Sequence, residues 1–114
     1  MGGFIGCEMA IRFPARVQRL VLVAAAGLSL RHGFGGALEA MTAYPIRDRL
    51  GEIRCPALIV WGEEDRLVPV RDAAEFAWLI PDARKILYPD TGHMVMLERP
   101  ERFNADVRAF IQAA

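Results

Sequence analysis

Apolar residues along this 114-residue chain fall in short blocks separated by polar, glycine- or proline-bearing stretches, and the blocks alternate between two periods. Gly2 to Phe13 carries Ile5, Met9 and Phe13 at helical spacing and stops at Pro14, so it predicts a helix with that stripe turned inward. Leu20 to Ala25 is a continuous apolar run with Gln18 and Arg19 before it and Gly27 after. Such a run suits a strand buried on both faces of a parallel sheet. Gly27 to Ala43 shows the least order. Ala57 to Trp61 predicts a second buried strand, Val70 to Ile80 a helix ended by Pro81, and Arg84 to Tyr88 a third strand. Pro100 to Ala113 predicts a closing helix with proline at its start. Strands alternating with helices imply right-handed crossovers and a parallel sheet covered on both faces, an α/β architecture.

Composition narrows the partners. The 54% hydrophobic content is ample for a packed core. Fourteen basic residues balance fourteen acidic ones, which removes the electrostatic footprint of a nucleic-acid or anionic-membrane binder. The longest uninterrupted apolar run, Leu20 to Leu28, is about half of the ~20 residues that span a bilayer. Met1-Gly2 begins like a myristoylation signal, but Gly6 stands where that pattern wants Ser or Thr. Cys7 and Cys55 fit neither a disulfide framework nor a Cys-x-x-Cys metal site, so a reducing, cytoplasmic setting is expected, with both cysteines as small core or edge residues. No metal and no cofactor is expected.

In open parallel sheets ligands collect at the carboxyl ends of the strands. Asp65, in Gly62-Glu63-Glu64-Asp65-Arg66, falls just past the second strand, and His93, in Thr91-Gly92-His93, just past the third. A carboxylate followed by a histidine is the order that elbow-serine hydrolases use after their nucleophile. The histidine accepts and returns the nucleophile's proton while the carboxylate fixes its tautomer and stabilises the imidazolium. Gly62 and Gly92 are consistent with tight turns at these places. Glu63 and Glu64 are alternative acids whose expected role is exposed loop charge. A lone Asp in a glycine turn is ordinarily a turn former and a lone His a core residue, and it is the pairing and the strand order that favour chemistry.

Other features carry less. Gly2, Gly3 and Gly6 lack the preceding strand of a dinucleotide fingerprint. Ser29 lacks an elbow. Cys55 enters the strand that Asp65 leaves, roughly 17 Å from its far end at ~3.3 Å per residue, too far to replace a nucleophile. Met94 and Met96 are expected to pack or line a pocket, and Trp61 and Trp78 to be core.

Several stretches together resemble the C-terminal half of the α/β-hydrolase superfamily, of the serine esterase, lipase and carbon-carbon-bond hydrolase type. They are Met1-Gly2-Gly3 with its helix ending Arg12-Phe13-Pro14, Arg16 to Val23, Pro56 to Asp65, and Gly92 to Glu101. The resemblance implies a partial α/β-hydrolase fold with three parallel strands flanked by helices and the N-terminal half of the sheet absent. Residues 1–114 would be a single C-terminal segment with a shortened cap or linker at 27–44. It also implies that Asp65 is the triad acid, His93 the triad base, and the Met1 backbone N–H an oxyanion donor, because the family uses the residue after its serine. That serine would lie just upstream of Met1. Arg31-His32-Gly33-Phe34-Gly35-Gly36 imitates the family's oxyanion loop but follows the wrong strand, and is expected to be a connector.

The expected function is ester-type acyl hydrolysis of a small-molecule ester-like substrate through a Ser-Asp-His triad, with the chain as given inactive for want of its nucleophile. The alternative is a non-catalytic interaction module or one half of a split hydrolase. Losing a neighbour on the first strand would leave an apolar edge, so self-association or a complementing N-terminal half is expected.

Overall fold

The computed structural model describes residues 2–26, 28 and 46–113. Among them run α1 (Gly2–Arg12), β1 (Leu20–Val23), β2 (Ala57–Gly62), α2 (Arg71–Leu79), β3 (Ala83–Tyr88), α3 (Val95–Glu98) and α4 (Pro100–Gln112). Short 3-10 turns at Pro14–Arg16 and Arg47–Glu52 precede β1 and β2. The three strands form one parallel sheet in the order β1-β2-β3. The connector expected over Gly27 to Ala43, with Ser29 and His32, lies outside the described residues apart from Leu28.

β2 is the centre, and every one of its residues is buried, as its unbroken apolar run requires. On one face its Ala57, Ile59 and Trp61 pack with α1, α2 and the turn at Arg47–Glu52, through Phe4, Cys7, Leu50 and Phe76. On the other face Leu58 and Val60 meet Tyr88, Val95 of α3 and Phe110 of α4. β1 ends sooner than its apolar run, because Ala24 turns into the left-handed region at φ 47° while its N–H still donates to Val60 O at 3.0 Å. β3 is apolar only in part, with Arg84 and Lys85 exposed, as befits an edge.

Two expectations are corrected. The inward face of α1 is Phe4, Cys7 and Ala10, while Ile5, Met9 and Phe13 are exposed. The reason is close approach: a Cβ on Gly3 would stand 2.4 Å from the Ala25 Cβ, so the helix meets the sheet along the side that carries Gly3, Cys7 and Ala10, and Ile5, Met9 and Phe13 turn out. Trp61 is core, fully buried and tilted against Phe76 with ring centroids 6.1 Å apart. Trp78 is not core. It is 86% exposed, two residues past Phe76 and off the stripe of Asp72, Ala73 and Phe76 that α2 buries.

What positions the site is register. β2 and β3 pair residue for residue from Ala57 with Ala83 to Gly62 with Tyr88, so both strands end at the same level. The loops that follow therefore leave from one rim of the sheet.

Candidate active site

The loop after β2 is sewn to the loop after β3 by backbone. Glu63 N–H donates to Tyr88 O at 2.9 Å, Glu64 N–H donates to Thr91 O at 2.9 Å, and Asp65 N–H turns back to Gly62 O at 3.2 Å. The approach at Gly62 is so close that a Cβ there would lie 2.1 Å from Gly92 O and 2.3 Å from Thr91 O. Space, not a left-handed φ, is what demands glycine at this position. From below, the Trp61 indole N–H donates to Val68 O at 3.0 Å and ties the far end of the loop to the core.

Asp65 is held at both carboxylate oxygens. Its Oδ1 accepts the backbone N–H groups of Leu67 at 2.8 Å and Val68 at 2.9 Å, a short side-chain-to-backbone turn that aspartate is suited to make. Its Oδ2 lies 2.8 Å from His93 Nδ1. The carboxylate is fully buried and the imidazole is 30% exposed. An ionised carboxylate offers only acceptors, so the tautomer that makes this bond carries its proton on Nδ1 and leaves the Nε2 lone pair available.

His93 is carried by a turn with its own supports. Asp90 adopts φ 51°, which aspartate tolerates better than most residues. The Thr91 hydroxyl donates to Pro89 O at 2.8 Å, and Gly92 N–H donates to the Glu98 carboxylate with both oxygens at 3.0 Å. The Arg99 guanidinium donates to Asp90 O at 2.8 Å. These supports were not read from the sequence. The signal was present in Glu98 and Arg99, six and seven residues after Gly92 in the same motif, but reaching back across a single helical turn is a three-dimensional relation.

The structure thus brings Asp65 and His93 together. Glu63 and Glu64 are exposed and stand outside the pair. The oxyanion donor expected at Met1 lies outside the described residues. Cys7 is buried in the core, where desolvation first and the neighbouring Glu8 carboxylate second push its thiol up to about 12, so it is inert at neutral pH. Cys55 precedes β2 at the opposite end of the strand from Asp65, and its thiol is also raised by burial. Met94 is exposed and Met96 half-buried. An apolar groove of about 360 Å³ lies along α1, lined by Phe4, Ile5, Glu8, Met9, Arg12 and Phe13, and shares no residue with the pair. No group of metal-ligating side chains occurs among the described residues, and no helix there is long and apolar enough to cross a membrane.

Comparison with known proteins gives a consistent picture. A family model described as alpha/beta hydrolase fold matches residues 30–100. A 2-hydroxy-6-oxononadienedioate/2-hydroxy-6-oxononatrienedioate hydrolase of Burkholderia vietnamiensis is 39% identical over 80 residues, covering 66% of this chain and 28% of that enzyme. A 2-hydroxy-6-oxo-6-phenylhexa-2,4-dienoate hydrolase of Comamonas testosteroni is 34% identical over 64 residues, covering 56% of this chain and 22% of that enzyme. Among solved structures, an alpha/beta hydrolase from a sediment metagenome of the Mar Chica lagoon superposes with a TM-score of 0.85 at 26% identity. It covers 97% of this chain and 57% of its own. The enol-lactonase of Burkholderia xenovorans, with a TM-score of 0.82 at 21% identity over 99% of this chain and 63% of its own, shares the fold. The matches to the two curated relatives thus span less than a third of each relative's length.

Proposed function

The chain belongs to the α/β-hydrolase fold family, and from that premise we propose that it supplies the acid and the base of a hydrolase triad, Asp65 and His93, to a small-molecule hydrolase. The observation that carries this is the 2.8 Å contact between His93 Nδ1 and a carboxylate whose other oxygen is already occupied by two backbone amides. A carboxylate so restrained cannot rotate away from the ring, which is what an orienting acid requires. His93 Nε2 takes the proton of a serine hydroxyl as its oxygen attacks the substrate carbonyl, and gives it to the leaving group as the tetrahedral intermediate collapses. Asp65 stabilises the imidazolium between the two steps. In this reading residues 1–114 form a single C-terminal segment, the backbone N–H of Met1 is an oxyanion donor, and the serine precedes Met1. The substrate class is a small molecule with an activated carbonyl. Esters are one form, and the oxo-dienoates in the relatives' names supply the other to be tried.

Without a nucleophile, only the modest catalysis of binding groups remains. The 114-residue chain is therefore expected to show no fluorophosphonate labelling and no p-nitrophenyl ester turnover above its His93→Ala variant. The same chain expressed with the codons preceding Met1 in its gene is expected to label and to lose turnover on His93→Ala. Turnover by the short chain that vanishes in His93→Ala would overturn the missing-serine reading, and an unlabelled extended chain would overturn the enzyme. A second reading, an interaction module or half of a split hydrolase, draws support from Ile5, Met9 and Phe13, which make an exposed apolar stripe on α1. Self-association of the short chain, read by sedimentation, would favour it.

A further inference from the structure

One peptide plane in the His93 turn is held from both sides. The carbonyl end of the Thr91–Gly92 peptide accepts Glu64 N–H, from the loop that carries Asp65, at 2.9 Å. Its amide end donates to the Glu98 carboxylate, equidistant from both oxygens at 3.0 Å. A bond to a charged acceptor polarises the peptide it touches, and that polarisation strengthens what the carbonyl at the other end accepts. Glu98 therefore acts on the link between the two loops as well as on its own turn.

The chain also closes on itself around His93. Val95, two residues on, is fully buried beneath the sheet, and α3 runs from it to Glu98, whose side chain returns to the amide just before His93. Arg99 completes the bracket by donating to Asp90 O at 2.8 Å and to Glu98 O at 3.0 Å. His93 is thus suspended between an amide fixed by Glu98 and a side chain fixed in the core. We propose that Glu98 is a positioning residue, which holds the Thr91–Gly92 peptide so that the His93 ring meets Asp65. This rests on the role assigned above to that pair.

Proton NMR of the full 114-residue chain tests it, with the Gly92 amide and the His93 Nδ1–H as separate reporters. In Glu98→Ala, Gly92 amide exchange is expected to accelerate about tenfold or more, and the Nδ1–H signal to broaden away through exchange with water. Glu98→Gln keeps a carbonyl acceptor and is expected to restore both to within about threefold of the parent. Should Glu98→Ala fail to fold, Glu98→Asp, whose carboxylate stops one methylene short, carries the same expectation. A fast Gly92 amide beside an unchanged Nδ1–H would overturn the proposal and leave the pair intact, and so would an unchanged Gly92 amide. Asp65→Asn separates the two ideas: it is expected to remove the Nδ1–H signal while Gly92 stays protected. Survival of that signal in Asp65→Asn would count against the Asp65–His93 pair itself.

Discussion

A methyl group at position 62 has nowhere to go. The atoms it would meet, Gly92 O at 2.1 Å and Thr91 O at 2.3 Å, are backbone, and one of them is engaged with Glu64 N–H. Relief requires separating the loop of Asp65 from the loop of His93. Gly62→Ala is accordingly expected to cost about 1–3 kcal/mol, in the range of overpacked interiors, and to weaken the Nδ1–H signal of His93. Its exposed neighbour is the control, since Glu63→Ala is expected to change stability by no more than ~0.5 kcal/mol. Urea unfolding of the two variants checks this, and equal midpoints would show that the loops yield without penalty. The tight turn expected at Gly62 is present, closed by Asp65 N–H on Gly62 O at 3.2 Å, and the structure adds a second reason for glycine there. A glycine beside a strand end reads as a turn, whereas the constraint here comes from a carbonyl thirty residues on in the chain.

At the level of elements, legibility followed the size of the signal. β2 and α2 were readable to within a residue because an unbroken apolar run and a proline stop mark them. The single turn of α3 and the 3-10 turn at Arg47–Glu52 are too short for any period to emerge, although Leu50 and Val95 both enter the core. The Asp65–His93 pair was legible as two loops in a known order, and its supports at Glu98 and Arg99 were not. α1 is the instructive miss. Helical spacing picks out the stripe of Ile5, Met9 and Phe13, but contact is decided by how near two backbones come, and Gly3 against Ala25 sets that distance. Phe4 is the large side chain this geometry buries. Phe4→Ala is expected to cost about 3 kcal/mol or more, while Ile5→Ala, one residue away and exposed, is expected to stay within ~0.5 kcal/mol. Chemical denaturation of both distinguishes the faces. The reverse ranking would restore the stripe read from the sequence.

For the molecule as a whole, the layered arrangement has a consequence for pH. The larger of the two apolar clusters among the described residues closes over Cys7 between α1 and the sheet, and the thiol there is raised to about 12 from 9.0. The folded state thus keeps a proton that the unfolded chain releases at 9.0. Below that pH both states are protonated and the shift contributes its full stability. Between 9 and 12 the unfolded state alone is deprotonated, it binds fewer protons, and stability falls as pH rises, on the order of 1 kcal/mol for each pH unit. Cys55 and Tyr88, both raised by burial, add to the same alkaline decline. Cys7→Ala removes only the first contribution. The variant is expected to begin about 1 kcal/mol less stable at pH 8, from the small cavity left by sulfur, and to lose stability more gently above pH 9, so that the two curves converge or cross. Parallel curves in urea titrations from pH 8 to pH 11 would mean that the folded core opens to hydroxide before the thiol titrates. The packing of α1 on the sheet would then be looser than its small-residue contact implies.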